Sequence, residues 1–348
     1  MSVSIYDVAA EAGVSIATVS RILNKSAAVS PKKVAAVQAA MEKLHFEPNQ
    51  FARGLVNKQA NMIGVYMLDG DVSVFDSTYS IELLKGIQRV LTYQDKCMTL
   101  IVERPGFHKR AGGIPAYREY VRSKRIDGLI LNGPLRAMMP PEVEKELREM
   151  DFPVVYIGRR EESEFLNVYA HYVEYCLEIL EHLRAKGHTN ILYYAISMHE
   201  NYIRQVKSVT DTWQDGTKIR FRLMHTGEMT RDQYKKELQK YVCGGEVTAV
   251  CMPDYDQAVT MLGVCNELNI PVPDRLSLVA VTHRMNEAKQ TYPPLSTLYV
   301  PAVDMGASAA ELLLHRLNGD DIPETGIEYK PRYTERESVK DMTAPATP

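Results

Sequence analysis

The stretch AGVSIATVSRIL, residues 12–23, limits the chain's opening more than any other segment. Gly13 interrupts two helical patterns, each too short to persist alone, so they must pack on one another and on a third element. Ser4 is placed to cap the first helix, whose inner face is Ile5, Val8, Ala9 and Ala12. Asp7, three residues after Ser4, completes a capping box with the shorter acid. Ser15 caps the second helix, where Val19, Ile22 and Leu23 form the inward stripe. A third helix begins at Ser30 with Pro31 in its first turn and lays Val34, Val37, Met41 and Leu44 on its core face. Three short helices with a glycine turn between the first two make a helix-turn-helix. Its second helix keeps small and hydrogen-bonding groups outward, with Ala17 and Arg21 one turn apart, as entry into a major groove requires. Spacing alone also allows a three-helix bundle with a polar surface.

Charge follows the same division. Residues 1–60 carry seven Lys/Arg against four Asp/Glu, a balance of +3 on a chain whose net charge is −3, so the remainder carries −6. A basic head on an acidic body suits a local anionic partner. At 348 residues the chain exceeds one typical domain. Cys97, Cys176, Cys243, Cys251 and Cys265 are odd in number and scattered, without CxxC spacing, and read as reduced thiols. MSVSIYDVAAEAG has early acids and no long apolar run, and no stretch reaches the ~18 apolar residues of a membrane span. A cytoplasmic protein is expected, with no membrane association.

The run from Ser4 to Asn24, SIYDVAAEAGVSIATVSRILN, closely resembles the DNA-binding head of the LacI/GalR family of bacterial repressors. The resemblance continues through EPNQFARGLVNKQ, residues 47–59, which is similar to that family's hinge. It implies a segment that becomes helical on operator DNA and wedges leucines into the minor groove at the centre of a palindrome. Leu55 stands at the leucine position with Asn49, Ala52 and Arg53 around it. Gly54 weakens an isolated helix by roughly 1 kcal/mol relative to Ala, which suits folding only on DNA. A plain linker is the alternative. By the same resemblance Ile16 and Ala17 face base edges, where apolar groups can meet a thymine methyl. Arg21 is the candidate for a bidentate contact to guanine, and Tyr6, Ser15, Thr18, Ser20 and Asn24 are candidates for phosphate contacts. Ile16 lies three before Val19, so it also fits the core.

From Asn61 onward, short apolar strands alternate with amphipathic helices. Strands are expected near 62–68, 97–102, 125–133, 152–158, 190–196, 218–224, 248–253 and 277–282. Helices are expected near 79–93, 115–124, 141–150, 171–186, 200–213, 230–242 and 256–268. Two such series predict two similar α/β lobes of parallel strands with helices on both faces and a cleft between them. RIDGLIL, AKGHTNI, GVCNELNIPVPDRLSLVAV and YPPLSTLYVPAVDMGASAAELLL resemble the family's effector-binding core, which is related to periplasmic sugar-binding proteins. The expected organisation is a head at 1–46, a hinge at 47–60, a core at 61–340 and a tail at 341–348. Within the core we expect one lobe at about 61–160 plus 292–322 and the other at about 161–291 plus 323–340. The tail lacks leucine heptads, so a homodimer is expected and not a tetramer.

The resemblance implies an effector pocket holding an aromatic, an Arg that opens a helix, an Asn-Asp pair and a late Asp. Tyr79 and Arg204 fit the first two; the pair becomes Asp254-Tyr255 and the late Asp becomes Thr282, followed by His283. Ala170-His171 stands where many relatives have Asp-Asn, and the loop 69–80 is longer than usual. Tyr79, Arg204, Asp254 and Thr282 are therefore the candidate effector residues, with a sugar or sugar derivative as the ligand class. Control by a protein partner, or none, is the alternative. No P-loop, GxSxG, HExxH or strand-following GxGxxG occurs, and the sequence shows no acid–nucleophile arrangement for His188 or His199. The reading is a DNA-binding repressor on palindromic double-stranded operator DNA, not an enzyme, with no cofactor and no metal. A sugar-binding module is the third reading.

Overall fold

The computed structural model describes residues 3–23, 29–46, 60–69, 73–104, 114–133, 138–158, 165–196, 200–224, 229–322, 326–330 and 332–344. The hinge candidates Asn49, Ala52 and Leu55 lie outside these, as do Asn24 and His199.

The head is three helices, α1 (Ile5–Glu11), α2 (Ile16–Leu23) and α3 (Pro31–Leu44). Val8, Ala9, Val19, Val37 and Ala40 are buried at its centre, with Ile5, Ala12, Ile22, Leu23, Met41 and Leu44 packed against them. The Asp7 carboxylate accepts from the Ser4 backbone N–H at 2.8 Å and from the Ser4 hydroxyl at 2.7 Å. Those two bonds, the side-chain one first, hold Asp7 below the usual carboxylate range. Gly13 has φ +62° with nothing within 4 Å of where a Cβ would stand. The turn needs glycine for its left-handed backbone and not for space.

The core holds two six-stranded sheets. The first contains β1 (Met62–Leu68), β2 (Cys97–Glu103), β3 (Gly128–Asn132), β4 (Val154–Ile157), β5 (Leu166–Ala170) and β11 (Gly326–Tyr329), in the order β11-β5-β4-β3-β1-β2. All its pairings are parallel. The second contains β6 (Asn190–Ile196), β7 (Lys218–Met224), β8 (Ala249–Met252), β9 (Ser277–Thr282), β10 (Ser296–Tyr299) and β12 (Arg332–Thr334), in the order β12-β10-β9-β8-β6-β7. Only β12 runs antiparallel to its neighbour.

Apolar groups cover both faces of these strands, which is why MIGVYML reads as a continuous run. Ile63, Val65 and Met67 enter one cluster, and Tyr66 enters another on the opposite face. The first face is covered by α4 (Thr78–Tyr93) and by α11 (Ala302–Asn318), through Leu83, Ile87 and Leu91 from one and Met305, Ala309 and Leu313 from the other. The opposite face is covered by α5 (Tyr117–Arg122) and α6 (Pro141–Glu149). In the second lobe α7 (Tyr172–Ala185) and α8 (Glu200–Thr210) lie on one face, with α9 (Arg231–Leu238) and α10 (Tyr255–Glu267) on the other.

The expected lobe boundaries need correction. β5 lies at 166–170, inside the segment assigned to the second lobe, yet it pairs with β4 in the first sheet. β10 at 296–299 was assigned to the first lobe and pairs with β9 in the second. β11 at 326–329 returns to the first sheet beside β5. The chain therefore passes between the lobes three times: after β5, after β10 and after β11. The cysteines are all free: Cys97 and Cys243 are exposed, the other three buried.

Candidate DNA-binding surface and interlobe cleft

Val19 anchors α2 to the head's centre, and this fixes which side chains face out. Ala17 and Arg21 are exposed, one turn apart on the outer face. Ile16 is 41% exposed and Tyr6 is 66% exposed, so Ile16 does not belong to the core. Ser15 is exposed and its hydroxyl accepts the Thr18 backbone N–H at 3.2 Å, while the two hydroxyls lie 2.9 Å apart. That is the expected N-cap, and it places both groups at the front of α2. Ser20 is half-buried.

The cleft lies at the carboxyl ends of the strands, where ligands bind in folds of this kind. Tyr79, near the start of α4, points its hydroxyl at Asn132 Oδ1 at the end of β3, 3.4 Å away. Its ring meets that of His283 edge-on, with centroids 5.2 Å apart. Burial raises the Tyr79 hydroxyl, and nearby Tyr202 of α8 adds to the shift. Tyr202 itself packs on Tyr172 at 5.3 Å. Arg204 is on the exposed side of α8. Asp254 caps α10, accepting the Gln257 N–H at 2.8 Å.

Thr282 is 1% exposed. Its hydroxyl donates to Glu287 Oε1 at 2.5 Å and accepts the Arg284 backbone N–H at 3.2 Å, so it organises the loop after β9. The structure thus brings Tyr79 to that loop, while Asp254 and Thr282 use their side chains within their own segments. Sequence reasoning missed Glu82, Arg284 and Asp256, which meet here. The available signal was the replacement of the pattern's late Asp by Thr282, with a His-Arg pair directly after it.

Among the described residues, one group has the donors for a metal ion. A ring nitrogen of His171 and carboxylate oxygens of Glu174 and Glu328 lie within 4.8 Å of one another. The Lys330 ammonium already stands 2.9 Å from Glu328 and 3.5 Å from Glu174 and supplies the positive charge.

A helix-turn-helix carried on a two-lobed, ligand-binding type of core defines a DNA-binding regulator. Comparison with known proteins gives the same division: residues 4–49 match bacterial regulatory proteins of the lacI family, and residues 180–339 match a periplasmic binding protein-like domain. The chain thus carries a lacI-family helix-turn-helix domain and a periplasmic binding protein-like domain. Catabolite control protein A of Staphylococcus xylosus is 27% identical, over 98% of this chain and 100% of that protein. The same-named protein of Priestia megaterium is 26% identical over equal shares. Among solved structures, the lac repressor dimer bound to operator and the anti-inducer ONPF has a TM-score of 0.77 at 20% identity, covering 98% of this chain and 100% of that one. A transcriptional regulator CelR–cellobiose complex has a TM-score of 0.61 at 22% identity, with shares of 97% and 99%. These relatives are regulators and not enzymes, in line with the reading of the sequence. Among the described residues no helix is long and apolar enough to cross a membrane.

Proposed function

We propose that the chain is a cytoplasmic, homodimeric repressor that binds a palindromic operator and responds to a small carbohydrate-type effector in the interlobe cleft. The observation that carries the DNA-binding half is the outward face of α2, with Ala17 and Arg21 exposed and Ser15 and Thr18 at its leading end. Two heads would occupy two half-sites in successive major grooves, with Leu55 of each hinge at the central minor-groove step. Ile16 and Ala17 would touch thymine methyls, Arg21 would read a guanine, and Tyr6, Ser15, Thr18, Ser20 and Asn24 would hold phosphates. In the cleft, Tyr79 offers a ring face and Arg204 a planar donor fork. Asp254 and Thr282 would contribute through the segments they organise.

The effector half is supported by the cleft at the strand ends and by the cellobiose seen in the CelR complex. An effector shifts operator affinity only by its differential affinity for two arrangements of the lobes. The test is selection of duplexes from a random pool by the full chain, then release of the selected duplex by mono- and disaccharides. Recovery of a palindrome released by one sugar is expected. A pool without a shared palindrome would refute the operator reading, and a palindrome insensitive to every sugar would refute the carbohydrate reading.

A further inference from the structure

Three residues of α4's first two turns each meet the second lobe. The Thr78 hydroxyl donates to Asp256 Oδ2, in the first turn of α10, at 3.1 Å. Tyr79 packs edge-on against His283. Arg284 Nε donates to Glu82 Oε1 at 2.6 Å. Positions 78 and 82 are one turn apart and share a helix face, so the contacts form a row and not a single point.

The ends of this row are held in place by other groups. Glu82 is 5% exposed, and its Oε1 also accepts from the Lys85 ammonium at 2.6 Å. Burial alone would raise the Glu82 carboxyl, but the bonds from Lys85 and Arg284 outweigh it and hold the carboxyl below its usual range. On the other side, the Thr282 hydroxyl fixes the loop, and the Glu287 carboxylate lies 3.7 Å from Arg284 Nη1. Arg284 thus stands between an acid of its own loop and a buried acid of the opposite lobe. Were the lobes to part, Glu82 would lose one of the two cations that make its burial tolerable.

We propose that Arg284–Glu82, flanked by Thr78–Asp256 and Tyr79–His283, is a clamp built into the chain that holds the cleft closed without any ligand. In this chain Thr282 turns inward to shape the loop, and the next two side chains reach across to α4. Lobe closure then comes from protein side chains, and a molecule entering the cleft must first break them.

Hydrogen–deuterium exchange of the full-length chain, free of DNA and sugar, tests this. Arg284→Ala should speed exchange in peptides covering the start of α4, residues 78–85, by about fivefold, the scale set by a strong half-exposed ion pair. Glu82→Gln, which keeps shape and removes charge, should do the same for residues 282–289. Arg222→Ala breaks the pair with Glu237 inside the second lobe and should leave both segments unchanged. Unchanged exchange at 78–85 in Arg284→Ala would overturn the clamp, as would equal acceleration in Arg222→Ala. Loosening at the centres of β1 and β6 together with the cleft would mean global unfolding and would overturn it too. None of these readings depends on operator binding, so the clamp and the repressor proposal stand or fall separately.

Discussion

At the scale of single residues, the head divides its labour between side chains that hold α2 and side chains that α2 holds out. Ser15 belongs to the first kind, since it satisfies an N–H that the helix leaves without a partner. Ser15→Ala should cost about 1 kcal/mol of head stability, read as a lowered unfolding temperature of the full chain's first transition. Arg21 belongs to the second kind. Arg21→Ala should leave that transition in place while costing about 1–3 kcal/mol on the selected operator and relaxing preference at one base pair. Equal weakening on every duplex would make Arg21 a phosphate contact. These roles were legible because caps, the Gly13 turn and the i, i+3, i+4 pattern are written within a few residues of one another. What the pattern left open was Ile16, which sits three before Val19. Its exposure follows from the head being small: Val8, Ala9, Val37 and Ala40 already fill the space over Val19.

At the scale of elements, the packing of α4 on α11 sets where the clamp residues stand. The two helices approach through glycines. A Cβ at Gly86 would lie 1.9 Å from the Val303 carbonyl oxygen, and one at Gly306 would lie 2.1 Å from that of Leu83. Both obstacles are backbone, so no rotamer change relieves them. Gly306→Ala should destabilise the first lobe by about 3 kcal/mol, at the upper end of overpacking costs, and should also loosen the cleft peptides, because α4 carries Thr78, Tyr79 and Glu82. A thermal scan that moved by less than a degree would show that the helices can slide apart freely.

The sequence displayed the amphipathic stripe of α4 but could not show why glycine interrupts it, since the reason is a helix more than two hundred residues away. The same limit explains the strands at 166–170 and 296–299, which the sequence pattern does not announce. The run LNVYA is short and carries Asn167, and its period shows at most that it is partly buried, not which sheet it joins. β10 lies in the segment 292–322 expected in the first lobe, whereas it pairs with β9 and the chain passes between the lobes only after it.

At the scale of the whole molecule, closure of the cleft should depend on pH through His283. Burial pulls the His283 imidazole down to about 4, from an ordinary 6.5. Its Nδ1 lies 3.4 Å from the Val300 carbonyl oxygen, and the Tyr79 ring, Glu82 and Arg284 surround it. Glu82 and the Val300 carbonyl favour the charged form, and Arg284 and burial oppose it. Because the folded value lies below the unfolded one, the unfolded chain takes up the proton first as the solution is acidified. The stabilising contribution is therefore complete above pH 6.5 and is lost progressively down to about pH 4. A shift of this size corresponds to roughly 3 kcal/mol lost by pH 4.

His182 and His188 are also lowered by burial, and they add losses of the same sign elsewhere in the second lobe. The informative quantity is thus a difference. Stability of the full chain, followed by denaturant unfolding between pH 7 and pH 4, should fall less steeply in His283→Gln than in the unmodified chain, while the slope from the other two histidines persists. The same acidification should speed exchange at the start of α4, since a protonated His283 places a second cation beside Arg284 and must leave the ring of Tyr79 to find water. Equal slopes in the two chains would mean that His283 is hydrated and titrates normally, and that the cleft is open at its floor.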